Sequence, residues 1–215
     1  MIKKIWYMYV ELSFIIMIIV ICREIMLPFV LGIFSTHNHV ALLSDFGSPG
    51  MPTRHFFKRW EFIDGILFIL GTPFYYQYLK IINKKMARYF IILVSIYGIG
   101  DCTFTALFDY SGSYFANWHS MLHALGSIVG CGALFIANIL LILLLMNDGK
   151  SNIAKFFCKT QLLSILACIL CLLFENFPLL GSTLQMIGLD GLYLPLLVLG
   201  IYNIKILVVN TFFFK

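Results

Sequence analysis

Residues 124–146, ALGSIVGCGALFIANILLILLLM, run without a single charged side chain. At about 1.5 Å of rise per residue, a helix of this length crosses the roughly 30 Å hydrocarbon layer of a bilayer. Apolar runs over 5–22, 62–79, 89–108, 162–180 and 192–214 repeat the pattern. The expectation is an all-α polytopic transmembrane bundle of about six spans.

Composition supports lipid as the main solvent. Of 215 residues, 61% are hydrophobic and 12% charged, against roughly 25% charged in ordinary soluble chains. Spans joined by short connections leave room for one integral membrane domain over 1–215. The run over 5–22 is too long for an ordinary signal-peptide core and no small-residue cleavage site follows, so it is expected to remain as a span. The net charge of +5 is scattered over several connections without aromatic interleaving, so no nucleic-acid partner is implied.

The basic residues are sorted. Lys3 and Lys4 precede the first run, Lys80, Lys84, Lys85 and Arg88 separate the second from the third, Lys150, Lys155 and Lys159 separate the fourth from the fifth, and Lys215 ends the chain. Cytoplasmic connections carry an excess of lysine and arginine, which predicts a cell-membrane protein with both termini cytoplasmic. Arg23, Arg54, Lys58 and Arg59 in the long first outer connection run against this pattern. Pro28 and Gly32 speak against a long regular helix there and suggest a re-entrant or interfacial segment near 26–34. Within the spans, Glu11 and Lys205 lie at matching depths. A bridge between them competes with lysine snorkelling and a neutral glutamate, because an unpaired charge there costs on the order of 3 kcal/mol.

His37, His39, Ser44, Asp45, His55, Glu61, Asp64, Asp109, His119, His123, Glu175 and Asp190 all map to the opposite, exoplasmic end. His119 and His123 in HSMLH stand four apart, which on a helix puts both rings on one face, a ligand spacing for a divalent metal such as zinc. Asp109, Asp101, Asp45 or His37 could supply a third ligand, and a zinc-bound hydroxide could then attack an ester, amide or phosphoester. The glutamate of the H-E-x-x-H motif is absent. Asp101, beside Gly98 and Gly100 within a span, is a functional candidate by default because an intramembrane carboxylate is costly without a cavity or partner. Its structural alternative is a hydrogen bond across the bundle. Ser44 and Asp45 in LLSDFGSPGMP could be a nucleophile and its partner, yet no G-x-S-x-G elbow surrounds the serine, and turn-making or capping is the better fit. The candidate catalytic set is therefore Asp101, Asp109, Ser44 and Asp45, with His119 and His123 as metal ligands.

The strings LLSDFGSPGMP, GDCTFTALFDY and WHSMLH resemble the domain of unknown function 998 family of prokaryotic integral membrane proteins. The resemblance spans nearly the whole chain and implies a bundle of about six spans, with polar residues at the loop after span one and at the junction of spans three and four. It implies no reaction. A looser similarity links the serine, aspartate and histidine set to the intramembrane hydrolases of the alkaline ceramidase and adiponectin-receptor type. Those have seven spans and late paired histidines, so only a type of mechanism carries over.

Three functions compete: a metal-dependent hydrolase or transferase on a lipid-associated substrate, a binding or transport module built around Asp101, and an accessory subunit with a membrane-protein partner. Nucleotide, flavin and haem readings lack their motifs.

Overall fold

The computed structural model describes residues 2–34, 40–113, 115–174 and 177–213, with side chains for 3–34, 40–113, 115–174 and 177–204. His37, His39, Glu175 and the Lys205 side chain, and with it the Glu11–Lys205 pair, lie outside the described residues. The elements are α1 (Ile2–Val30), a 3-10 turn (Leu43–Gly47), α2 (Arg54–Leu70), α3 (Thr72–Leu79), α4 (Lys84–Tyr97), a π segment (Gly98–Thr103), α5 (Phe104–Leu107), α6 (Trp118–Asn147), α7 (Ser151–Leu173) and α8 (Leu180–Phe213). Among the described residues there is no strand. Among the described residues five helical stretches are long and apolar enough to cross a membrane: α1, α4 through α5, α6, α7 and α8. The sixth, α2 with α3, is interrupted at Gly71.

That interruption is held by α1. Pro73 cannot donate a backbone hydrogen bond, and helix ends leave N–H and C=O groups open, which apolar surroundings make costly. Ser13 Oγ accepts from Phe74 N at 2.8 Å, and Tyr9 Oη donates to Leu70 O at 2.8 Å. A Cβ on Gly71 would sit 3.0 Å from the Met17 side chain, so the glycine permits the close approach.

The structure corrects two boundaries. Helix α1 continues through Pro28 to Val30 instead of breaking into a re-entrant segment. The fifth span ends at Leu173, and Leu180 already begins α8. Membrane helices tolerate proline where neighbours take up the freed groups, and α8 shows how. Pro195 leaves the Gly191 carbonyl without its helical donor, and Gln161 Nε2 of α7 donates to it at 2.8 Å. Asn138 Nδ2 of α6 donates to Gln161 Oε1 at 3.0 Å and to Leu192 O at 2.8 Å, and Ser164 Oγ to Gly188 O at 2.6 Å. These bonds bind three spans together.

Chain direction alternates, so Lys80, Lys84, Lys85, Lys150, Lys155 and Lys159 gather at one end of the bundle, with the start of α1. The loop over 40–53, the start of α2, the 108–117 connection and the α7–α8 turn gather at the other.

Candidate functional site

The second end is closed by a stitched loop. Leu43 N donates to Gln185 Oε1 at 2.7 Å, Ser48 Oγ to Tyr110 O at 2.8 Å and Thr53 Oγ1 to Phe46 O at 2.8 Å. Asp45 serves this loop itself, its Oδ2 accepting from Ala41 N at 3.1 Å and Leu42 N at 2.9 Å. Burial raises the Asp45 carboxyl above its ordinary range, while those two N–H groups pull it back. Gly47 is required, because a Cβ there would lie 2.6 Å from the Phe57 ring.

Beneath the loop lies a cavity of about 780 Å³, in the size range of small-molecule sites. Its roof is Leu42, Leu43, Ser44 and Phe46, and its walls come from α1, α2, α6, α7 and α8. Glu24, Glu61, Asp101 and Asp190 line it together with His123 and Tyr193, and no lysine or arginine does among the described residues. Met121, Leu125 and Ile128 of α6 and Leu172 of α7 line the same cavity yet are 50%, 55%, 70% and 58% exposed. They therefore form its rim. Ile128 stands ten residues into α6, about 15 Å along the axis. The mouth thus opens sideways, between α6 and α7, within the apolar span.

At the inner wall, carboxyls from three elements meet. Glu24 of α1 and Glu61 of α2 are 9% and 7% exposed, Asp64 is fully buried, and Asp101 comes from the π segment. Arg23 Nε donates to Asp64 Oδ1 at 2.5 Å, and its guanidinium lies 4.0 Å from the Trp60 ring centre. Tyr193 Oη donates to Glu24 Oε2 at 3.3 Å and is hydrogen-bonded to Tyr97 Oη. Tyr97 in turn bonds to Asp101, which accepts from Ser127 Oγ at 2.5 Å. Glu24 and Asp64 contact one another through their carboxyls, yet Glu24 Oε1 and Asp64 Oδ2 are enclosed without a donor in bonding geometry. Such a contact requires a proton or another cation between the oxygens. Glu24, Glu61 and Cys102 place their ligand atoms within 4.8 Å of one another, the one such group of three among the described residues.

Glycines put Asp101 there. A Cβ on Gly65 would meet Gly98 O at 2.5 Å, and one on Gly100 would meet Gly126 O at 2.8 Å. Helices α2 and α6 therefore clasp the π segment backbone to backbone, and such bulges mark functional sites in many helices.

The sequence candidates are distributed unevenly around this cavity. Asp101 and Ser44 line it, the latter with its neighbour Asp45 turned to the loop backbone. Asp109 lies outside the lining and forms a clamp, with Arg54 Nη2 at 2.9 Å and Lys58 Nζ at 2.5 Å. Burial raises the Asp109 carboxyl, but Lys58 and Arg54 outweigh it and hold the group below its usual range. This clamp, with the Arg23–Asp64 pair, accounts for three of the four basic residues that stood against the orientation pattern. Among the described residues the two histidines are not brought to a common third ligand. His123 is buried, its Nδ1 3.0 Å from Phe108 O, which fixes that nitrogen as the donor. His119 packs against Trp118, ring centres 3.8 Å apart, with Nδ1 enclosed and unpartnered. Glu24 was missed as a site residue because the segment after Cys22 reads as a connection. The available signal was Glu24 in register with Leu27 and Leu31, i, i+3 and i+7 on one helical face.

No protein-family model, no curated protein and no solved structure matches the chain. Function therefore rests on the chemistry of the cavity and its carboxyl network.

Proposed function

We propose that this multi-pass membrane protein is a binding module for an amphiphilic molecule, drawn from the bilayer into the cavity with its polar head at Glu24, Glu61 and Asp101. One observation carries the reading: a largely apolar cavity of about 780 Å³ is lined by Glu24, Glu61 and Asp101, and Glu24 Oε1 is buried there without a donor. Buried ionisable groups in a membrane bundle are costly and mark ligand or ion pathways. Polar residues serving packing alone are expected to close their bonds, as Gln161 and Ser164 do.

Orientation completes the proposal. The lysine-bearing end faces the cytoplasm with both termini, which puts the cavity in the outer half of the cell membrane. The resemblance to the domain of unknown function 998 family is carried as part of this proposal and assigns no reaction against it. Hydrolysis by a metal on His119 and His123 has less support, since no third ligand joins the pair among the described residues.

Native mass spectrometry tests the binding reading. Wild-type protein released from detergent retains one amphiphile per chain, and Met186→Trp, which fills the cavity while keeping all four acids in the chain, does not. Equal retention by both contradicts it.

A further inference from the structure

We infer that the head recognised in this cavity is cationic, so that the ligand class is an amine-headed single-chain amphiphile. The inference rests on the binding reading above and adds the sign of the head. Three observations give that sign. Among the described residues the cavity wall carries four acids, Glu24, Glu61, Asp101 and Asp190, and no lysine or arginine. The nearest guanidinium, Arg23, is already taken by Asp64 and the Trp60 face. Glu24 Oε1, on the cavity wall, is a buried acceptor with no donor in bonding geometry.

A carboxylate, sulfate or phosphate head would meet like charge with no free cation among the described residues of the cavity wall to match it. This disfavours fatty acids and anionic phospholipids. An alkylammonium brings up to three N–H donors and a positive charge, and its chain is matched by the apolar walls. The sideways mouth at Leu125, Ile128 and Leu172 lets a molecule already dissolved in the bilayer bring its tail along without crossing water. A metal ion would also satisfy the acids, and Glu24, Glu61 and Cys102 are close enough to hold one. The roomy apolar cavity has no use in that case, which favours the organic cation.

The test uses full-length protein in phosphatidylcholine nanodiscs and three probes that share one tail: dodecylamine, dodecanol and dodecanoate. Radiolabelled probe bound above a Met186→Trp background is measured for each, alongside elemental analysis of the same samples. The expected result is dodecylamine binding at least about tenfold tighter than dodecanol, dodecanoate weakest, and the amine preference lost in Glu61→Gln and in Glu24→Gln. Using two variants keeps the result readable if one of them fails to fold. Dodecanol matching the amine, or dodecanoate binding best, overturns the cationic head and leaves the binding reading standing. If no probe exceeds background, the binding reading falls and this inference with it. One metal per chain in wild type, lost in Glu61→Gln, also overturns the inference, because the cation is then inorganic.

Discussion

Around Asn138, helices α6, α7 and α8 exchange amide hydrogen bonds with one another and with carbonyls that Pro195 and close packing leave open. Around Glu24, carboxyls from α1, α2 and the π segment gather, and one of them, Asp64, takes the Arg23 guanidinium. Both groups are buried in the same bundle. The first leaves only Asn138 Oδ1 without a donor, a neutral acceptor of modest cost. The second leaves carboxyl oxygens open and borders the cavity. Buried polarity thus takes two forms: closed by neutral amides it fastens helices, and left open by acids it makes, on the proposed reading, a site that a ligand completes.

The largest expected effect sharpens what the two regions share, their dependence on α6. A Cβ on Gly130 would sit 2.8 Å from Asp101 Cβ and 3.1 Å from its Cα. Gly130→Leu should therefore cost about 3 kcal/mol in reversible unfolding from micelles and remove ligand retention together with stability. Next comes Asn138→Leu, which strands Gln161 Oε1 and the Leu192 carbonyl. A loss of about 2 kcal/mol with unchanged ligand retention is expected, and loss of retention at full stability would break the contrast.

Glu61→Gln should move the other way, neutral or stabilising by about 1 kcal/mol while abolishing retention, because it removes a buried acid that binding alone explains. Destabilisation of the size seen at Asn138 would make the acids structural too. The smallest effect belongs to the Asp109 clamp. Its carboxyl is lowered in the folded protein, so its contribution is complete above the ordinary carboxyl range and fades as pH falls through the lowered folded value. The clamp is partly exposed, so less than about 1 kcal/mol is expected, and an acid titration of stability that loses this component in Asp109→Asn checks it.

Much of the fold was legible because apolar runs and sorted lysines are summed over long segments. The continuation of α1 past Pro28 was not, since whether a proline stops a membrane helix depends on neighbours that a linear pattern does not place. The site divided the same way. Asp101 stood out as an acid flanked by Gly98 and Gly100 in an apolar run, and it lines the cavity. Glu24 hid behind the assumed end of the first span, and the joining of Arg23 to Asp64 depends on the crossing of α1 and α2, which no spacing encodes. His119 and His123 kept the predicted helical spacing, but His123 found a backbone carbonyl and His119 an indole face.

The central claim is a cavity reachable from lipid that ends on buried carboxyls, and dicyclohexylcarbodiimide tests it most directly, because this apolar reagent reaches proteins through the bilayer and modifies carboxyl groups in apolar surroundings. Peptide mass spectrometry of treated membranes should find the N-acylurea on Glu24 or Glu61, diminished in Met186→Trp. Modification confined to exposed acids such as Glu11 and Asp148, with Glu24 and Glu61 untouched, would contradict the account.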